Sequence, residues 1–426
     1  MALLVQKFGG TSLADGEKIR HAASIVAKAK KAGHDIVVIV SAMAGETDRL
    51  INLAKAQAKS PSPREYAALV ATGEQVTMAL MSMALQELNI SAISFTGAQA
   101  GIHTCDKYKK ARINFIEKEP ILRELKGGKV VVVAGFQGVD DKGNITTLGR
   151  GGSDTSAVAV AAALDASECQ IFTDVEGVFT TDPNLVDEAC LLDNISFEEM
   201  LELASLGSKV LQIRSVEFAG KYNVPLRVLS SQVPGKGTLI NYNQRQSMES
   251  PLVSGIAFSR KETKICLVGI KDPLTTMANL LTELKILNVN IDMLVEVSSQ
   301  DGIKEITFTL QQDEHEATLE HLTAKKKELK VEKIISATDL AKLSLVGAGL
   351  KSHPAVVTTL FETLAAKKIP VELMSMSEIK ISVIIAAHKL DEAVRVLHSS
   401  FQLDKGVNKG GKESYEDETF VVYSEN

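Results

Sequence analysis

The chain has 426 residues, 47 Lys and Arg against 53 Asp and Glu, a net charge of −6 and 45% hydrophobic residues. That length suggests two or three domains at roughly 100–200 residues each, and the apolar fraction supports real cores and excludes general disorder. Mild acidity argues against a nucleic-acid binder, which carries a basic face. No run of about 18 apolar residues marks a membrane span, and the N-terminal MALLVQKFGGTS lacks the basic n-region of a secretory signal. Cys105, Cys169, Cys190 and Cys266 lie far apart with no CxxC, which reads as reduced, mostly buried thiols of a cytoplasmic protein. Without Trp, and with 4% aromatics, the core must be built from Val, Ile, Leu and Ala.

The first half alternates short β-rich runs with long helical patterns. Leu3-Leu4-Val5 opens a strand whose period breaks at Phe8-Gly9-Gly10. From Asp15 to Lys31, apolar Ile19, Ala23, Val26 and Ala27 recur at helical spacing, and Gly33 stops the helix. Ile36–Val40, Val130–Val133 and Gln170–Phe172 read as buried strands, while Lys59–Pro63 is a loop between two helices. Continuous apolar strands between helices imply a mostly parallel sheet covered on both faces. The expected fold is therefore α/β, a three-layer αβα domain over residues 1–245.

A polar stretch, Asn241–Pro251, then leads into an internal repeat. Ile265-Cys266-Leu267-Val268-Gly269 resembles Leu343-Ser344-Leu345-Val346-Gly347, an offset of about 78 residues and too long for a solenoid unit. In each copy a helical pattern leads to a second apolar segment, Asn288–Met293 or Lys368–Leu373, expected as a strand. A closing strand follows, Glu305–Leu310 or Ile379–Ile385. Two β-α-β-β copies suggest paired ferredoxin-like modules, with a linker and leading strand at 246–263, modules at 264–337 and 338–403, and a polar tail at 404–426 that is loosely ordered apart from a possible terminal strand.

Four segments fit phosphoryl transfer. In Lys7-Phe8-Gly9-Gly10-Thr11-Ser12 the glycines let backbone approach an oxyanion, and Lys7 supplies positive charge at a strand's carboxyl end. In Gly149–Ala157, GRGGSDTSA, a second glycine-rich turn opens a helix; Arg150 can hold a carboxylate bidentately, Ser153 can hydrogen-bond the substrate, and Asp154 reads either as site residue or as N-cap. Thr173–Pro183 follows a strand end, where open α/β sheets bind ligands, although alone it would be a polar turn. Lys209 in Gly207–Leu211 offers a second cation, or else a solvated helix residue. Walker, GxGxxG, HRD/DFG, HExxH and GxSxG patterns are missing, and His315 and His321 cannot share a helix face as metal ligands.

Taken in order, KFGGTS, the SAMAGET of Ser41–Thr47, the Thr72-Gly73-Glu74 triplet, GRGGSDTSA, TDVEGVFTTDP and GSKVL make the chain resemble the aspartokinases of the amino-acid kinase family, and the repeats resemble their tandem ACT modules. The resemblance implies MgATP-dependent phosphorylation of the β-carboxylate of L-aspartate, the first step toward lysine, threonine and methionine. It makes Lys7 and Asp154 the catalytic pair. Thr47, Glu74, Phe136 (through its backbone), Arg150, Gly151, Gly152 and Ser153 form the aspartate pocket. Lys7, Phe8, Gly9, Gly10, Ser41, Thr173, Asp174, Phe179, Asp182, Lys209 and Val210 fall on the ATP side. Mg2+ would be held mainly by the phosphates, with no protein metal site. Lysine or threonine would act at Asp272, Asn290, Ile291, Asp292, Glu296, His353, Val371 and Glu372. A homo-oligomer through the ACT modules is implied, together with a separately translated regulatory subunit starting near Met248.

Departures from the pattern are Phe179 in place of Tyr, Asn184 in place of Arg, Glu296 in place of Gln, and effector turns Asp272-Pro273-Leu274 and His353-Pro354-Ala355 in place of Pro-Gly. Two competing readings are a kinase acting on glutamate or N-acetylglutamate, and an amino-acid-binding regulatory protein with an inert kinase half. The terminal repeats oppose the first, and intact Lys7, Glu74, Arg150 and Asp154 oppose the second.

Overall fold

The computed structural model describes residues 2–205, 210–242, 253–298 and 304–405. Within them the chain forms two units: the first comprises residues 2–179 and 191–242, the second Thr180–Cys190 and residues 253–405. Lys209, Met248 and the tail beyond Lys405 lie outside the described residues.

The first unit opens with β1 (Leu3–Phe8), α1 (Gly16–Lys31) and β2 (Asp35–Val40). Asp15 sets the start of α1 by accepting the backbone N–H of Glu17 and Lys18, two donors that have no partner inside the helix. Next come α2 (Glu46–Gln57), α3 (Pro63–Val70), α4 (Thr72–Glu87) and β3 (Ala92–Phe95). The run Pro63–Glu87 is long and apolar enough by composition to cross a bilayer, but Met81 and Leu85 of α4 sit fully buried in the first unit's core. Small strands β4 (Ile102–Thr104) and β5 (Ile113–Ile116) precede α5 (Glu119–Lys126), and β6 (Val130–Ala134) is followed by β7 (Gln137–Val139) and β8 (Ile145–Thr147). Then α6 (Gly152–Ala163), β9 (Glu168–Thr173), β10 (Asn194–Ser196), α7 (Phe197–Ser205), α8 (Ile213–Tyr222), β11 (Leu226–Ser230) and β12 (Thr238–Asn241) complete the unit.

Its main sheet has the order β10-β12-β11-β9-β1-β2-β6-β3 and is parallel except where β12 meets β11. Ile36 to Val40 and Val130 to Ala134 are wholly buried, as expected of strands covered by helices on both faces. Parallel pairing brings the carboxyl ends of β1, β2, β6 and β9 to one edge. A second sheet, β5-β4-β7-β8, carries the chain from β7 through β8 to the turn before α6. Of the cysteines only Cys169 is buried; the other three are partly exposed, contrary to expectation, because Cys105 and Cys190 lie outside the strands and Cys266 alternates with buried Ile265 and Leu267 on the open face of its sheet.

The second unit contains β13 (Val253–Ile270), α9 (Pro273–Leu287), β14 (Leu294–Ser298), β15 (Lys304–Gln311), α10 (Gln312–Ala324), β16 (Lys333–Gly347), α11 (Pro354–Ala366), β17 (Leu373–Met376), β18 (Lys380–Ala386) and α12 (Leu390–Ser400). They build one antiparallel sheet, β14-β15-β13-β16-β18-β17. The expected boundary between residues 263 and 264 falls inside β13. The first part of that strand, Val253–Ser259, pairs with Lys342–Gly347, and the later part, Glu262–Val268, pairs with Lys333–Leu340. Each repeat thus owns four strand segments and two helices, and the two long strands are shared. One apolar cluster lies under each repeat. Asn290, Ile291 and Asp292 precede β14 rather than forming a strand, because α9 ends in a left-handed Asn288 and the chain must turn back.

The repeats are cross-tied. Lys264 and Lys342 hold equivalent repeat positions, as do Asp292 and Glu372. Lys342 Nζ lies 2.5 Å from Asp292 Oδ2, while Lys264 is paired with Glu372. Glu262 is buried beside Lys342 at 3.9 Å, and Gln311 donates to its Oε1. Segment Thr180–Cys190 belongs here too: Leu185 and Val186 join the second repeat's core, Arg395 Nε donates to the Leu185 carbonyl, and Thr180 Oγ1 is 2.9 Å from His398 Nε2.

Candidate active site

The carboxyl edge of the parallel sheet carries a buried lysine and a buried aspartate. Lys7, near the end of β1, is 8% exposed, and its Nζ lies 2.6 Å from Asp154 Oδ1 in the first turn of α6. Asp154 is not the helix cap: Gly151, in the left-handed conformation, occupies that position and makes no side-chain cap. The Asp154 carboxylate is therefore available to Lys7. The same helix terminus presents Gly152 and Ser153.

Glycines bring backbone close on the segments that carry this pair. A Cβ on Gly9 would lie 3.4 Å from Lys7 Nζ, and one on Gly10 would lie 2.9 Å from the Ala42 carbonyl. Gly9 N–H donates to the Phe172 carbonyl, tying the turn to the end of β9 beside Thr173. A Cβ on Gly135 would meet Ser153 Cβ at 2.9 Å, and one on Gly152 would meet the Phe136 ring at 2.8 Å. These contacts leave a surface of backbone and space next to an ammonium group, which fits a phosphate chain.

Glu74 lies at the start of α4 and is 3% exposed. Its Oε1 accepts the Ala42 N–H at 3.2 Å, while its Oε2 is buried without a partner among the described residues. Burial pushes its carboxyl up to about 7. An orphaned buried carboxylate oxygen is costly unless a donor arrives, and an α-ammonium group is such a donor. Phe136 adopts φ +68°, rare for a bulky residue. Ser156 Oγ accepts its N–H, and its carbonyl accepts the Leu148 N–H. Arg150 is exposed, and its guanidinium has no ion-pair partner among the described residues. Thr47, on the first turn of α2, is half-buried.

On the expected ATP side the residues divide. Phe8 is fully buried, its ring stacked on Phe172 at 4.7 Å, so it offers only backbone. Ser41 donates its N–H to the Phe8 carbonyl and accepts the Thr77 hydroxyl at its own carbonyl. Thr173 Oγ1 donates to Asp174, and Val210 is a half-buried turn residue. Phe179 pairs with Leu191 in the first unit. Asp182 belongs to the second unit, where its Oδ1 accepts the N–H and side-chain amide of Asn184.

Of the expected effector residues, Asp272 caps α9 through Thr275 N–H. Ile291 and Val371 pack against the two repeat cores, Asp292 and Glu372 are held by the crossed lysines, and Asn290, Glu296 and His353 are exposed. Sequence reasoning missed Ala42, Gly135 and Ser156, whose contributions are an N–H, a missing side chain and a hydroxyl. It also missed Ser231, which is hydrogen-bonded to the Ser12 hydroxyl and to the Thr173 carbonyl.

The amino acid kinase family profile matches residues 2–230, and an ACT domain profile matches residues 343–401. The chain is similar to an aspartate kinase of Pseudomonas fluorescens, 52% identical over 96% of this chain and 100% of that protein. Two solved structures of E. coli aspartokinase III are also similar. One, in complex with aspartate and ADP, matches with TM-score 0.78 at 26% identity over 93% of this chain and 99% of the other. The second, in complex with lysine and aspartate, matches with TM-score 0.76 at 25% identity over 94% and 99%. A kinase fold with paired lysine and aspartate at its carboxyl edge, joined to an ACT sheet and matched along nearly its whole length, places this chain in the aspartate kinase family of enzymes.

Proposed function

We propose that this site transfers the γ-phosphoryl group of ATP to the β-carboxylate of L-aspartate, giving 4-phospho-L-aspartate and ADP, the first step toward lysine, threonine and methionine. A carboxylate oxygen forms the new P–O bond as the bond from phosphorus to the β–γ bridging oxygen breaks, and the electron pair leaves with ADP. The observation that carries this reading is the Lys7–Asp154 pair together with the orphaned oxygen of Glu74, whose other oxygen is held by Ala42, the residue packed on the Gly9-Gly10 turn.

In this reading Lys7 neutralises charge on the transferring group, and Asp154 fixes the ammonium in place. Positioning and charge neutralisation supply most of the rate in such transfers. Arg150 clamps the α-carboxylate, Glu74 takes the α-ammonium, and Thr47, Ser153 and the Phe136 backbone complete the pocket. Gly9, Gly10, Ser41, Thr173, Asp174, Val210 and Lys209 serve the nucleotide, and Mg2+ enters on its phosphates. Phe179, Asp182 and Asn184 are assigned to the same side, with one positive charge fewer than relatives carry.

The second unit is proposed to bind lysine, threonine or both, at the turn residues Asp272, Asn290, Ile291, Asp292 and Glu296 and their counterparts His353, Val371 and Glu372. A lysine complex of a similar enzyme supports this. Edge strands β14 and β17 expose Leu294, Val297, Met374 and Met376, which supports pairing with a second copy. A regulatory subunit starting near Met248 would carry the two repeats without Thr180–Cys190. Four free thiols fit a reducing cytoplasm.

Acyl-phosphate formation, trapped with hydroxylamine, tests the reading with aspartate, glutamate and N-acetylglutamate, each with and without lysine plus threonine. Aspartate-dependent hydroxamate that falls with effector is expected. Turnover with glutamate alone would move the assignment to another carboxylate kinase, and no turnover with any acceptor would favour an inert binding protein.

A further inference from the structure

Arg214, on α8, has no role in the site as described above. Its Nη1 donates to the Leu148 carbonyl at 2.8 Å and its Nη2 to the Ala111 carbonyl at 3.0 Å. Among the described residues no carboxylate lies within ion-pair distance of it, so the guanidinium is spent wholly on two backbone acceptors. Leu148 immediately precedes the turn Gly149-Arg150-Gly151, and its N–H is bonded to the Phe136 carbonyl. The Leu148 peptide thus links the two backbone segments assigned to the aspartate pocket. Ala111 N–H donates to the Thr147 carbonyl, so the second anchor braces the same strand end from its other side.

Gln212, two residues before Arg214, closes the arrangement. A Cβ on Gly151 would fall 2.0 Å from Gln212 Cγ, so Gln212 packs directly on the left-handed residue that opens α6. The turn therefore has one wall supplied by Gln212 and one anchor supplied by Arg214, while its own Arg150 stays exposed.

We propose that Arg214 is a positioning residue for the aspartate pocket: its planar fork fixes the Leu148 peptide and thereby the direction in which Arg150 and the helix N-terminus meet the substrate's carboxylate. The proposal rests on the function proposed above. Arg offers two separated, coplanar nitrogens, one for each carbonyl; Lys must serve both acceptors from a single nitrogen on a flexible stem and holds their geometry less firmly. Most residues assigned to the nucleotide lie on other strands. Lys209 and Val210 come just ahead of Gln212 in the chain, but the two donors of Arg214 go to Leu148 and Ala111, so aspartate affinity is the quantity this residue controls.

The test compares wild type, Arg214→Met and Arg214→Lys in aspartate-dependent turnover, with melting temperatures recorded. For Arg214→Met we expect the aspartate KM to rise roughly tenfold, about 1.4 kcal/mol, with the MgATP KM within about twofold, and for Arg214→Lys an intermediate value. In Arg214→Ala, whose truncated side chain leaves room for it, millimolar guanidinium chloride should restore aspartate affinity without changing the melting temperature, and it should leave wild type unaffected. An unchanged aspartate KM overturns the proposal. So does a parallel rise in both KM values with a lower melting temperature and no rescue. Wild type failing with aspartate would instead overturn the functional reading, and this inference with it.

Discussion

Lys7 Nζ and Asp154 Oδ1 meet at 2.6 Å, with both side chains about nine-tenths buried. One comes from the central strand and the other from the first turn of a helix far along the chain, so the pair forms only when the parallel sheet is complete. Removing one partner leaves a buried charge uncompensated, which separates its structural and catalytic parts.

Lys7→Met should lower kcat by at least about a hundredfold, as expected when a charge aimed at the transferring group is lost, and should also lower the melting temperature. Adding Asp154→Asn should recover the melting temperature without recovering turnover. Calorimetry and steady-state kinetics on both variants check this; recovered turnover in the double variant would make the pair merely structural.

Glu74, proposed to take the α-ammonium of aspartate, would tie substrate binding to pH. Its folded-state carboxyl sits at about 7 instead of 4.5, raised by burial. Folding therefore retains a proton that the unfolded chain has lost, and this contribution to stability is full below about 4.5 and lost as pH rises through 7. Binding the α-ammonium needs the ionised form, so the aspartate KM should fall as pH rises from 6 to 8, by close to tenfold per unit well below 7. Glu74→Gln should raise KM and flatten that profile. A wild-type KM independent of pH over this range would contradict the assignment.

Gly135 tests packing rather than charge. The Cβ of Gly135→Ala would press on Ser153 Cβ and Oγ and on Ile39, and should raise the aspartate KM several-fold. Gly235→Ala meets nothing within 4 Å and should leave KM unchanged. Equal kinetics in the two variants would remove Ser153 from the pocket.

These residues also mark how far the sequence carries the argument. Lys7, the Gly9-Gly10 turn and Gly149–Asp154 are legible because a glycine-rich break after an apolar run has a local signature. Glu74 was found only through resemblance, since a Glu near the start of a helix is ordinary. Gly135 and Ala42 act through a missing side chain and an N–H, which leave no chemical signature. The sharing of β13 between repeats, and the membership of Leu185 and Val186 in the second repeat's core, depend on pairing with strands distant in sequence. Local periodicity cannot report that.

In the second unit, Lys342 lies between Asp292 and the buried Glu262, whose carboxyl is pushed upward by burial. Lys342→Met should destabilise this unit by about 3 kcal/mol, because an uncompensated buried charge remains. Adding Glu262→Gln should recover much of that loss. Thermal unfolding of the two variants checks it; a Lys342→Met melting curve equal to wild type would show that the crossed pairs hold nothing.

If the Gly149–Asp154 turn receives the carboxylate of aspartate, Arg150→Ala strikes that contact first, and its aspartate KM is the quantity to measure. A rise of at least about tenfold is expected, the scale of a lost bidentate charge-assisted contact, with the MgATP KM nearly unchanged. An aspartate KM equal to that of wild type would contradict it.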